Sequence, residues 1–230
     1  MYSKVLFMQS EFSAAKDVQE IRQMMERSSK FISLSGLSGI AAGICALIGA
    51  YFGWRVIDDS PSRISGLEYD YQFQEGAVTL NQFMGSKLLQ IAFLTFIAAF
   101  ITAFIFTFLK SRKTGQPIWG VTSRRLLTAV LIPMVAGGIY LLAQIHYGHF
   151  GLIAPGSLIF YGLGLIGGSR YTVGEIRYLG YLQILLGVVS SWYPGYGIYF
   201  WAMGFGVCHI AYGIIMWIKY DLKRGHAESD

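Results

Sequence analysis

A chain of 230 residues that is 54% hydrophobic and only 13% charged is not an ordinary water-soluble domain, in which about a quarter of residues carry charge. The net charge of +5 comes from basic residues that flank apolar runs instead of forming a stripe on a soluble face, which argues against nucleic acid. Both cysteines, Cys45 and Cys208, sit inside apolar runs, so neither a disulfide framework nor a zinc site is indicated.

Residues 1–30 carry mixed charge and read as an amphipathic helix. Ala14, Val18, Ile21 and Met25 share one face, while Glu20, Gln23, Arg27 and Lys30 point elsewhere. Such a helix is expected to lie on the inner leaflet, and its partners would be a cytoplasmic protein or anionic lipid. This opening is too long and too acidic for a signal peptide, so the first apolar run is expected to stay as an anchor.

Six apolar segments follow, at 31–54, 88–109, 126–147, 152–168, 178–193 and 196–218. The first, second, third and sixth are long enough to cross a hydrocarbon core of about 30 Å at 1.5 Å per residue. The fourth and fifth are shorter. A re-entrant hairpin is the alternative for them, but its tip would bury Arg170, Glu175 and Arg177 at several kcal/mol per unpaired charge, as estimated for charges in hydrocarbon. Two short spans are therefore preferred. The loop 55–87 is the one sizeable segment between helices, and its Tyr69, Tyr71 and Phe73 alternate with charged or polar residues as a short strand or an interface-hugging stretch would.

The fold class is thus an all-α membrane protein, a six-helix transmembrane bundle behind an N-terminal amphipathic helix. Its parts are 1–30, a transmembrane domain over 31–218, and a tail over 219–230. With the N-terminus inside, fifteen of eighteen Lys and Arg residues fall on the cytoplasmic side, and only Arg55, Arg63 and Lys87 fall outside. Positive charge of this kind sets orientation, so both termini are expected on the cytoplasmic side.

Packing signals are clearest in the glycines. Gly36, Gly39 and Gly43 in the first segment, and Gly164 with Gly168 in the fourth, recur at close-packing intervals. In the second segment Ala92, Thr95, Ala99 and Thr102 form a small face opposite Phe93, Phe96, Phe100, Phe104 and Phe108. The first is suited to another helix and the second to lipid.

No Asp, Glu, Lys or Arg lies within any of the six segments. Proton-coupled carriers and intramembrane hydrolases rely on ionisable groups at that depth, so an enzyme ranks below other classes and no catalytic residue, metal or cofactor is assigned. His209, deep in the sixth segment, reads first as a hydrogen-bonded structural residue. Gln90, Gln144 and His146, with Ser190 and Ser191, all fall in the outer half and could line a vestibule there. Interhelical hydrogen bonding is the plainer account of them. Gln90, Gln144, His146 and His209 are the candidate ligand-binding residues.

The run Met24-Met25-Glu26-Arg27-Ser28-Ser29-Lys30-Phe31-Ile32-Ser33-Leu34-Ser35-Gly36-Leu37-Ser38-Gly39 resembles the start of the first helix in a group of bacterial multi-pass membrane proteins without assigned function, mainly from Bacteroidota. The resemblance implies an inner-membrane location and brings no activity or ligand. Two functions follow as expectations. The first is a non-enzymatic scaffold or regulatory membrane protein, compatible with a homo-oligomer. The second is a permease or binding protein for an apolar or neutral small molecule.

Overall fold

The computed structural model describes residues 36–59, 86–115, 119–193 and 195–222. The amphipathic helix expected over 1–30 and the short strand or interface-hugging stretch expected around Tyr69 to Phe73 lie outside the described residues. Within them the chain forms helices joined by turns, with no strand.

The helices are α1 (Gly36–Asp58), α2 (Lys87–Thr114), α3 (Val121–His146), α4 (Ile153–Gly168) and α5 (Ile176–Ser191). A sixth, α6, is built from four consecutive stretches: Gly197–Trp201, Ala202–Cys208, His209–Met216 and Trp217–Leu222. α1, α2, α3 and α6 are each long and apolar enough to cross a membrane, as is α4 with the 3₁₀ turn Phe150–Leu152 that leads into it. The protein is therefore a multi-pass, all-α membrane protein. At 16 residues α5 covers about 24 Å, with Tyr178 and Tyr181 exposed near one end and Trp192 and Tyr193 near the other. Such rings sit at membrane interfaces.

The helix limits follow local chemistry more than the apolar runs. α2 begins where the Ser86 hydroxyl accepts a hydrogen bond from the Leu89 N–H at 3.2 Å, a cap for one of the helix's orphan donors. It continues past the apolar run through Lys110, Arg112 and Lys113, whose long side chains reach the interface from a helical backbone. It ends at Gly115, whose φ of 65° is left-handed and suits a residue without Cβ.

Packing divides the helices into two triplets. In one, α1 lies between α2 and α6; in the other, α4 lies between α3 and α5. Each neighbouring pair within a triplet is antiparallel. A Cβ built at Gly53 would approach Leu88, and one at Gly49 would run into Thr95, so the small face of α2 meets α1. The phenylalanine face is exposed, with Phe96, Phe100, Phe104 and Phe108 stacked at 6.4 Å intervals.

Glycine makes the closest crossings. A Cβ at Gly162 would stand 2.7 Å from the Gly180 carbonyl oxygen, and one at Gly180 would stand 2.8 Å from the Gly162 oxygen. α1 and α6 meet the same way, with Gly43 against the Gly206 oxygen at 2.8 Å and Gly213 against the Gly36 oxygen at 2.7 Å. Gly164 and Gly168 face Val130 and Leu126 of α3. Within α3, Pro133 has no N–H for the Ala129 carbonyl. That oxygen faces Gly167, where a Cβ would lie only 3.1 Å away, so glycine lets α4 approach α3 closely there.

These contacts place the start of α1, the end of α2, the start of α3, the α4–α5 turn and the end of α6 at one end of the bundle. Lys110, Arg112, Lys113, Arg124, Arg125, Arg170, Arg177 and Lys219 lie there, while Arg55 and Lys87 lie at the other. We call the first the basic end.

Candidate functional site

The two triplets meet where α6 runs parallel to α4, and the polar interior of the bundle is concentrated there. α6 widens over Ala202–Cys208 into i→i+5 winding, a local bulge of the sort often found at functional sites. Gly204 within it carries no side chain, so Leu158 and Gln183 approach its backbone directly. Its carbonyl oxygen accepts two side-chain hydrogen bonds, from Gln183 Nε2 at 2.8 Å and His209 Nδ1 at 2.9 Å.

A carbonyl can only accept, so His209 carries its proton on Nδ1. In the neutral ring Nε2 is then an acceptor, and the Tyr161 hydroxyl donates to it at 2.8 Å. The 3.4 Å separation of Gln183 Nε2 from His209 Nδ1 therefore places two donors side by side, both serving the Gly204 oxygen. Gln183 is fully buried and His209 nearly so. Phe205 stacks on the imidazole at 6.0 Å and lies 5.1 Å from the Tyr161 ring, with Trp201 beyond it at 5.0 Å. The result is a rigid aromatic wall holding one oriented imidazole. The buried Gln183 Oε1 has no hydrogen-bond partner, and neither has the Ser190 hydroxyl, 1% exposed on the same face of α5.

That wall borders a cavity of about 340 Å³ between the triplets. α6 contributes His209, Tyr212, Gly213 and Met216, and α4 contributes Tyr161 and Leu165. α5 adds Ile176 and Leu179, and α1 adds Gly36, Ser38, Gly39 and Ala42. The last wall is α2, through Phe100, Ala103, Phe104 and Thr107. The lining is overwhelmingly apolar. Phe100 and Phe104 are also 63% and 52% exposed, so the cavity opens past the lipid-facing rings of α2. Its size lies within the range of small-molecule sites, about 300–1,000 Å³.

The basic end of the cavity is tied by a latch. Glu175, just before α5, takes a hydrogen bond from Lys219 Nζ and another from the Tyr220 hydroxyl at 2.7 Å. Partial burial works to raise the Glu175 pKa, but the bonds from Lys219 and Tyr220 outweigh it and hold the carboxyl below its ordinary 4.5. A carboxylate whose folded pKa is depressed stabilises the fold above its unfolded value and loses that contribution as pH falls through the folded value. Wild type should therefore be more thermally stable than Glu175→Gln at pH 7, and the gap should close as pH drops below 4.5. Solvent reaches this pair, so the effect is small. Melting curves of the two proteins between pH 7 and pH 3 check it, and a gap that stays constant would refute the latch.

The structure places the four candidate ligand-binding residues in three settings. His209 lies in the polar cluster beside the cavity. Gln144 is half-buried at the end of α3, where its Oε1 meets His149 Nδ1 at 2.8 Å. His146 is exposed, edge-on to Tyr147 at 5.2 Å, and Gln90 is exposed on α2. Ser191 is exposed and donates to the Gly187 carbonyl at 3.0 Å. Tyr161, Gln183 and Gly204 escaped the sequence reading. A signal for Gln183 existed, since Leu179, Gln183, Gly187 and Ser190 fall on one helical face, opposite Tyr181 and Leu185.

Among the described residues no three His, Cys, Asp or Glu side chains gather as a metal site would need. Cys45 and Cys208 are free thiols, Cys45 lying 3.8 Å from the Thr102 hydroxyl. The fold and site together define a polytopic helical membrane protein with an apolar, lipid-accessible cavity. No protein-family model, curated protein or solved structure matches the chain.

Proposed function

We propose that this is a non-enzymatic membrane protein that binds an apolar or neutral small molecule inside the bilayer, as a permease or binding protein would. The observation that carries the reading is the apolar cavity, open past Phe100 and Phe104, with the His209–Tyr161 pair in its wall. An uncharged lining gives no electrostatic reward to an ion, and desolvating a charge there would be costly. The scaffold or regulatory reading leans on residues 1–30 and on the cations of the basic end; a partner there is compatible with ligand binding in the bundle.

The same proposal includes an orientation. Among the described residues, eight Lys and Arg at the basic end against Arg55 and Lys87 at the other support a cytoplasmic basic end, with both chain termini there. The likeness to Bacteroidota membrane proteins supports a bacterial inner membrane as the location.

Organic extraction of the purified protein followed by mass spectrometry tests the reading. Wild type should release an apolar or neutral compound in near-stoichiometric amount. Ala103→Trp, which fills the cavity from α2, should release little while eluting as a folded protein. Equal amounts from both would sink it.

A further inference from the structure

Two hydroxyls in the otherwise apolar lining have nothing to bond. Tyr212 of α6 borders the cavity with a partly buried ring, and its hydroxyl is buried with no hydrogen-bond partner among the described residues. Thr107 of α2 is a half-buried member of the same lining and makes no hydrogen bond among the described residues. Thr102, further along that helix, instead turns its hydroxyl back onto the Ala98 and Ala99 carbonyls. A polar group shut away from water is expensive to leave unpaired, so these two hydroxyls mark where a polar atom of the ligand belongs.

Both lie at one depth. α1 and α2 are antiparallel, and Cys45 meets Thr102 at 3.8 Å, so Thr107, five residues onward, stands level with Ile40, five residues back. A Cβ at Gly213 would lie 2.6 Å from the Ile40 amide nitrogen, which sets Gly213 and its neighbour Tyr212 at that level too. Lys110 follows Thr107 after about 4.5 Å of helix axis at 1.5 Å per residue, so the hydroxyls sit close beneath the basic surface. The rest of the lining lies deeper, with Ala42, Phe100 and Ala103 leading toward the Tyr161–His209 pair.

We infer that the cavity holds a neutral lipid with an oxygen-bearing head, a hydroxyl or carbonyl, whose oxygen accepts a hydrogen bond from Tyr212 while its hydrocarbon runs deeper. The inference rests on the apolar-ligand reading above. The Tyr212 ring borders open space, so a turn about its side-chain bonds carries the hydroxyl to the ligand, and Thr107 offers a second one from the α2 wall. The head is neutral because no charged side chain is among the described lining residues, and a charge there would lose its hydration without a partner. An anion would also feel the Glu175 carboxylate, whose field reaches Tyr212 and whose lysine partner, Lys219, is already engaged.

Three matched probes test this: oleyl alcohol, 1-octadecene, which lacks the head, and oleyl sulfate, whose head is charged. The full chain in detergent is equilibrated with an equimolar mixture, repurified, and the retained compounds are quantified by mass spectrometry. Wild type should retain the alcohol roughly tenfold over octadecene, as one hydrogen bond of ordinary net strength gives, and over the sulfate by at least as much. Tyr212→Phe, which keeps the ring, should bring alcohol and octadecene to within about twofold, and Thr107→Val should narrow the gap in the same direction if the phenylalanine variant does not fold. Equal retention of alcohol and octadecene by wild type would overturn the polar head and leave the apolar-ligand reading standing. A preference for the sulfate would overturn its neutrality, and a full alcohol preference in Tyr212→Phe would overturn its placement. Retention of none of the three, with the extraction yields of wild type and Ala103→Trp also equal, would take down the underlying reading as well.

Discussion

Gly162→Val is expected to lower the thermal midpoint by about 6–12 °C, and Gly213→Val by a similar amount. At Gly162 the new Cβ would meet the Gly180 carbonyl oxygen at 2.7 Å, and at Gly213 it would meet the Ile40 amide nitrogen at 2.6 Å and the Gly36 oxygen at 2.7 Å. All these obstacles are backbone, so no rotamer change relieves them and the helices must separate. Overpacking of this kind costs about 3 kcal/mol at the upper end of its usual range. In soluble domains of about this length each kcal/mol shifts the midpoint by about 2–4 °C. Gly138→Ala provides the comparison. A Cβ there has nothing within 4 Å, and alanine is the better helix former by up to about 1 kcal/mol, so its midpoint should rise or hold. Differential scanning fluorimetry in one detergent reads all three variants. A Gly162→Val protein as stable as wild type would refute the backbone crossing of α4 and α5.

Gln183→Ala should destabilise the protein by about 2–4 kcal/mol, whereas Gln90→Ala should stay within about 0.5 kcal/mol of wild type. The two residues have the same chemistry and opposite surroundings. Gln183 is 0% exposed and bonds the Gly204 carbonyl, so its truncation leaves a void in the wall of the bulge and removes one of two donors to that oxygen. Gln90 is exposed. The neighbouring pair gives a sharper measure of the network. Tyr161→Phe leaves the His209 Nε2 acceptor unpaired, and His209→Leu leaves the Tyr161 hydroxyl unpaired, at about 1–2 kcal/mol each. The double variant removes both partners and should cost less than the sum of the singles. Strict additivity in chemical denaturation would show that the Tyr161–His209 bond contributes nothing.

Much of the architecture was legible in the residues because a bilayer imposes length and charge rules on each segment separately. The apolar run at 88–109 lies inside α2, which extends beyond it to the Ser86 cap and to Gly115, while α3 starts five residues before the run at 126–147 and ends one residue short of its end. The small face of α2 could be read from Thr95 and Thr102, and Thr95 is buried against Gly49. The spacing of Gly36 and Gly43 announced a close crossing without naming its partner, which is α6. Gly164 and Gly168 likewise announced a crossing, and the partner there is α3.

The site was far less legible. His209 stood out as the lone histidine deep in a span, but Tyr161 looked like any aromatic of an apolar segment, and Gly204 like any glycine of α6. What unites them is the widened turn at Ala202–Cys208, which turns one carbonyl toward Gln183 of α5 and His209 of α6 itself. No local pattern encodes that, because the bulge is stabilised by Gln183 and His209 through contacts 21 and 5 residues away in sequence.

By itself, then, the sequence determined that this chain is a polytopic helical membrane protein and which of its segments are apolar enough to cross, since hydrocarbon thickness and the cost of burying charge act on each segment alone. Only the tertiary structure decided which helices meet. It set α1 between α2 and α6, set α4 between α3 and α5, and left an apolar space between the triplets. Inside lipid no hydrophobic force chooses among equally greasy helices. The choice falls to backbone approach at glycine and to a few buried hydrogen bonds, and those become visible only when all six helices are in place.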